Sequence, residues 1–218
     1  MASIVQCVFS NGASASITAT AGNVLVVCTN VITSGGSWTM PSDGHNTYSS
    51  RLQQGSASFV MATWDAPVVT GGALTVTNGR QAGIVSAYEM YVFEVQPSGV
   101  LAYDTGNSAQ NTTGVPTTAS FTPAGAGELI LAFCAAQTAS SGSMTAGTGF
   151  TLQRTDGWGL GGTTDSAGCE YILSGASGAQ TATMNPSQSV QWNIIALAYT
   201  DTVTPGSVPP QLMRRGMS

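Results

Sequence analysis

The residues with the chemistry to act as catalysts are few and poorly spaced for it. The single histidine, His45, lies in Asp43-Gly-His-Asn46. Asp43 and His45 supply two donors for a metal and no third stands at a recognisable spacing, so the tetrad reads as a turn. A serine triad would have to use His45, and no Gly-x-Ser-x-Gly elbow presents the serine. Gly157-Trp-Gly-Leu-Gly-Gly162 satisfies the letters of a dinucleotide fingerprint. That fingerprint needs a helix whose N-terminus receives the pyrophosphate, and no helical pattern follows, so the segment reads as a flexible glycine-rich loop. Trp158 at its tip is a candidate contact for a partner surface or a sugar face. Glu89 and Glu94 lie five apart and so face opposite sides of a regular strand. Asp104, Asp156, Asp165 and Glu170 have no spacing that pairs them, so no carboxylate couple of the glycosidase kind is assigned. No catalytic, cofactor or metal residue follows, and the chain is expected not to be an enzyme.

The four cysteines, Cys7, Cys28, Cys134 and Cys169, show no Cys-x-x-Cys spacing and sit in apolar, strand-like segments. They read as buried free thiols of a chain made in a reducing cytosol; a bridge is open but not indicated. The Asn111-Thr112-Thr113 sequon has no secretory context. Met1-Ala-Ser-Ile lacks a charged, apolar leader, and no apolar run reaches the length of a membrane span, so no membrane partner is expected.

Charge is scarce. Charged residues make up 7% of the chain, with ten acids against five bases, a formal charge of −5 and arginine as the sole base: Arg51, Arg80, Arg154, Arg214 and Arg215. Without a basic stripe, nucleic acid is not an expected partner. Solubility must come from Ser, Thr, Asn, Gln and Gly, whose short side chains lose little entropy when another protein covers them. Such a surface suits a life in contact. At 218 residues the chain should bury roughly 70% of its unfolded surface, enough for a core without staples.

The elements that must position these residues are strands, and they come in two series. Ala21-Gly-Asn-Val-Leu-Val-Val-Cys28 is answered by Ala126-Gly-Glu-Leu-Ile-Leu-Ala-Phe-Cys134, and Ala87 to Val95 by Gln191 to Tyr199. Val24 to Thr29 is apolar almost throughout, which predicts a central strand buried on both faces. Tyr48 to Leu52, Phe59 to Trp64 and Leu74 to Thr77 follow in the first half. Phe150 to Arg154, Gly168 to Leu173 and Gln180 to Met184 follow in the second. Trp64 and Trp192 sit in strand-like runs and are expected in the core, whereas Trp38, Tyr48 and Trp158 lie near loops. No segment shows a capped helical period. The expectation is an all-β chain: a β-sandwich of jelly-roll or Greek-key type with an internal two-fold repeat, residues about 4–96 and 100–200. Residues 1–201 would form one domain in which the halves exchange strands.

Residues 202–218 differ in kind. Thr-Pro-Gly-Ser-Val-Pro-Pro cannot continue a ladder and favours an extended path. Beyond it, Leu212, Met213 and Met217 offer apolar anchors and Arg214 and Arg215 offer charge, so this C-terminal arm is expected to dock on a neighbouring subunit.

The series Gly22-Asn-Val-Leu-Val-Val27, Asp43-Gly-His-Asn-Thr-Tyr48, Ala62-Thr-Trp-Asp-Ala-Pro67, Gly71-Gly-Ala-Leu-Thr-Val76 and Ala87-Tyr-Glu-Met-Tyr-Val-Phe-Glu94 resembles duplicated β-sandwich domains of tailed-phage virion proteins and some bacterial surface proteins. The resemblance covers residues 15 to 200 and rests on turns and strands, so it carries no catalytic residue across. It implies a non-enzymatic virion structural protein, made in the host cytoplasm. Such a protein would be a capsid decoration or cement subunit that binds other virion proteins and copies of itself. The other reading it leaves open is a fibre or adhesin that binds host carbohydrate.

Overall fold

The computed structural model describes residues 1–33, 38–55, 59–78, 85–138, 142–160, 163–187 and 191–202. The arm residues Leu212, Met213, Arg214, Arg215 and Met217 lie outside them. Every regular element among the described residues is a β-strand. The first half holds β1 (Ser3–Ser10), β2 (Ser14–Ala19), β3 (Val24–Thr33), β4 (Ser49–Gly55), β5 (Phe59–Pro67), β6 (Gly72–Thr77) and β7 (Val85–Gln96). The second holds β8 (Val100–Asn111), β9 (Glu128–Thr138), β10 (Met144–Thr145), β11 (Thr151–Leu160), β12 (Thr163–Gly175), β13 (Asn185–Pro186) and β14 (Gln191–Thr202).

Two five-stranded antiparallel sheets result, ordered β1-β7-β3-β5-β4 and β8-β14-β9-β12-β11. Each draws all its strands from one half of the chain. The expectation that the halves exchange strands is therefore corrected: the apolar strands of each half pair with one another, where the closing loops are shorter and cost less entropy. The two orders match strand for strand, β1 with β8, β7 with β14, β3 with β9, β5 with β12 and β4 with β11. Backbone detail follows the same correspondence. Gly22 and Gly127, each just before its central strand, have φ of 91° and 87°, a left-handed conformation that a Cβ would strain.

Alternation along the central strands divides the apolar residues between two faces. Val24, Val26 and Cys28 of β3 and Leu129, Leu131 and Phe133 of β9 point into one shared core between the sheets. Phe93 and Phe133 meet there edge to face, centroids 5.6 Å apart. Leu25 and Val27 point the other way, under a cover formed by the β2–β6 ribbon through Ile17, Leu74 and Val76. Ile130, Ala132 and Cys134 are covered on the far side by Phe121, Met144, Ala182 and Met184. Both five-stranded sheets are thus buried on both faces, which is why β3 and β9 read as continuous apolar runs.

Candidate functional site

The residues singled out for chemistry are mostly placed in structural roles. Asp43 Oδ1 accepts the His45 and Asn46 backbone N–H groups at 2.9 and 2.8 Å, and Oδ2 accepts from Asn46 Nδ2 and the Tyr48 hydroxyl. Partial burial works to raise the Asp43 pKa, but these four donors outweigh it and hold the carboxyl below its ordinary value. The tetrad is a turn, as its residue types predict. Trp64 and Trp192 are buried in the covered outer faces. Trp38 packs edge-on against Trp64 at 5.4 Å and Tyr48 is buried, so neither contributes to an exposed aromatic platform. The backbone of Trp158 lies in β11, paired with Asp165 of β12, so Gly157 to Leu160 belong to a paired strand where a flexible loop was expected, and Gly161 and Gly162 lie outside the described residues. Alternating Gly157 and Gly159 leaves the backbone free to join the ladder, and strand pairing with β12 supplies its hydrogen bonds. Its side chain lies outside those described.

Arg51 and Asp65 form a site that spacing could not reveal, because they meet across β4 and β5. Arg51 Nε and Nη2 donate to Asp65 Oδ2 and Oδ1, both at 2.7 Å, a bidentate fork. The Arg51 guanidinium lies 4.9 Å from the ring centroid of Tyr103, which β8 brings from the other sheet. Tyr103 in turn meets Tyr199 edge-on at 5.8 Å. These side chains, with Val24 and Leu101, line a cleft of about 420 Å³ at the margin of the two sheets. The hydrogen bonds to Asp65 push the Arg51 pKa further up, against burial, and burial beside Asp65 pushes the Tyr199 hydroxyl up as well. The cleft therefore offers a fixed cation, a paired carboxylate and protonated phenols. Ser49, the cross-strand partner of Asp65, lines the cleft as well, and together these groups can bind and orient a polar ligand.

A second polar site lies under the cover of the second sheet. Trp64 pairs with Val27 and Ser50, and Glu170 pairs with Ala132 and Leu152, so in the matched strand order the acid stands where the first sheet has a core tryptophan. Glu170 is fully buried. Its Oε2 accepts the Gly147 N–H at 2.8 Å, and Oε1 has no hydrogen-bond partner among the described residues. Burial pushes its pKa up to about 7, against the Gly147 N–H. A Cβ on Gly147 would lie 2.0 Å from the Thr183 carbonyl oxygen, so only glycine lets that backbone come close. Cys134 shares this face, and burial, with Glu170 adding to it, raises its thiol well above the ordinary range. A carboxyl poised near neutrality beside an inert thiol makes no catalytic pair.

The remaining acids are used internally. Glu94, fully buried, accepts from Thr20 N, Asn23 Nδ2 and Gln6 Nε2 at 2.6 to 2.7 Å. Glu89, on the opposite face as its spacing predicts, accepts from Asn30 Nδ2. Asp104 and Glu128 accept the Ala124 and Gly125 N–H groups. Asp156 holds Arg154 in a second bidentate fork and accepts from the Tyr91 hydroxyl across the core, and Asp201 caps Ser98 and Gly99 and pairs with the N-terminal amine. Every acid whose side chain is described therefore has a partner within the chain, as do Arg51 and Arg154. No three His, Cys, Asp or Glu side chains among the described residues could hold a metal ion. No helix among them is long and apolar enough to cross a membrane. Compared with protein-family models, with curated proteins and with solved structures, the chain gives no match.

Proposed function

We propose that the chain is a non-enzymatic structural protein of a phage particle, most simply a decoration or cement subunit of the head that binds other virion proteins and copies of itself. The observation that carries this reading is the inward use of charge. Among the described residues the arginines and acids are engaged in forks, caps and buried networks, Arg154 alone of them staying largely exposed at 42%, and the rest of the exterior is mainly Ser, Thr, Asn, Gln and Gly with scattered apolar residues such as Val5, Val69 and Val115. A neutral, short-chained surface loses little on being covered, and it is useful where contact is broad and lasting. The matched strand orders support reading the two halves as copies of one unit, the arrangement the resemblance implies. In this account the arm expected over 202–218, whose first residue Thr202 the structure places at the end of β14, supplies the anchors: Leu212, Met213 and Met217 fill pockets on a neighbour while Arg214 and Arg215 pair with its acids or carbonyls. Deleting Val208 to Ser218 is expected to abolish incorporation into particles while the thermal transition stays within about 2 °C of the full chain. Normal incorporation of the shortened chain sinks the reading.

One observation favours a second reading, carbohydrate binding by a fibre or adhesin. The Arg51–Asp65 fork beside Tyr103 gives the cleft polar groups of fixed direction next to an aromatic edge. This reading predicts a glycan-array signal that Arg51→Met removes; a blank array at high protein concentration rejects it.

A further inference from the structure

The inter-sheet core contains a contact that none of the foregoing uses. Cys7 Sγ, on the edge strand β1 of the first sheet, lies 3.7 Å from Cys169 Sγ, on β12 of the second. Cys169 is fully buried, whereas Cys7 is half-buried. We propose that Cys7 and Cys169 are a redox-active pair, dithiol in a reducing compartment and joined by a peroxide or a disulfide oxidant into a cross-link that fastens the two sheets together.

Geometry sets the pair apart from the other thiols. Cys28 projects from β3 into the same core and Cys134 projects from β9 on the far side of the second sheet, so the sulfurs already touching are those of Cys7 and Cys169. A disulfide needs the sulfurs at about 2.05 Å, a closure of roughly 1.7 Å that rotation about two Cα–Cβ bonds and a small shift of one strand can supply. β1 is the strand able to shift. It is an edge, paired on one side to β7, and its register already slips between Ile4 and Gln6.

The chemistry follows from exposure. Burial raises the Cys169 thiol well above its ordinary value, so the half-buried Cys7 is the sulfur that an oxidant meets. The Arg154 guanidinium lies over the Phe9 ring at 5.4 Å, on the neighbouring stretch of the same edge strand. With hydrogen peroxide, the Cys7 thiolate attacks one oxygen and the O–O bond breaks. Cys7 becomes a sulfenic acid, and hydroxide leaves and takes up the proton released by Cys7. Cys169 sulfur then attacks the Cys7 sulfur and expels its oxygen, which leaves with the Cys169 proton as a second water. Two thiols give up one electron pair, and one peroxide becomes two waters.

The experiment uses the full chain, reduced, freed of reductant under argon and treated with stepwise hydrogen peroxide. Thiols are counted after unfolding, and the non-reduced digest is mapped by mass. The chain has no lysine, so trypsin leaves Cys7 and Cys28 together on the peptide ending at Arg51, with Cys169 on the one that begins at Thr155. Cys28→Ala resolves them. The expected result is a fall from four thiols to two, a link between those peptides that persists in Cys28→Ala and vanishes in Cys7→Ala, and a thermal transition raised by roughly 5–10 °C and reset by dithiothreitol. Four thiols remaining under excess peroxide overturns the proposal. So does a link that survives Cys7→Ala, a cross-linked dimer, or a Cys7 carried to the sulfinic acid in place of a bridge.

Discussion

Glu170 shows how much one residue can depart from its surroundings. The matching place in the first sheet holds Trp64, buried against Trp38, and a tryptophan is what an outer sheet face under a cover calls for. A carboxyl there gains one hydrogen bond, from Gly147, and stays protonated into the neutral range at about 7. The folded state thus holds a proton that the unfolded chain, with a carboxyl near 4.3, gives up. Stability should be insensitive to Glu170 below about pH 4, fall as pH rises from there to 7, and be lower by a constant amount above. Glu170→Gln is expected to gain on the order of 2–3 kcal/mol at pH 8 and little at pH 4, measured by urea unfolding at both values. A gain of equal size at both would refute the burial account. Gly147→Ala tests the cover from the other side: with a Cβ driven against the Thr183 carbonyl, a loss of about 1–3 kcal/mol is expected from the same unfolding curves. Neither residue was legible in the sequence. Glu170 sits in Gly-Cys-Glu-Tyr-Ile, a stretch whose strand character is plain, but burial of an acid depends on what covers it, and the cover comes from residues 116–121, 144–150 and 180–186.

At the scale of elements the strong strands were legible because they are buried on both faces. Val24 to Thr29 and Leu129 to Ala135 have no polar alternation to blur, and their leading Ala-Gly pairs mark the left-handed glycines that turn the chain into them. Assignment of strands to sheets was not legible. Pairing across β4 and β5 joins Arg51 to Asp65, and packing of sheet on sheet then lays Tyr103 over the fork, relations that no local spacing encodes. Arg51→Met should be costly because it strands a buried carboxylate: about 2–4 kcal/mol is expected, and Asp65→Asn combined with it should recover part of the loss. Additive losses in that double variant would show that the fork is not a unit. Likewise, Phe133→Ala removes the ring shared by Phe93 and Tyr91 at the centre of the inter-sheet core, with an expected cost of about 3–5 kcal/mol.

For the molecule as a whole, the balance of ten acids and five bases was readable at once, but its meaning depends on where the charges go. Among the described residues most of the acids face inward or cap turns, and the exposed surface is poor in charge, with Arg154 held to Asp156. A surface of this kind associates through shape and apolar contact, so its assemblies should tolerate salt, in contrast to those held by opposed charged patches. The most direct test of the assembly account is the solution mass of the full chain and of a version ending at Thr202, by light scattering at 0.1 and 1 M sodium chloride. The account predicts a defined oligomer of the full chain whose mass is unchanged by salt and which falls to the monomer when the arm is removed. A monomer at both lengths, or an oligomer that dissolves in salt, would contradict it.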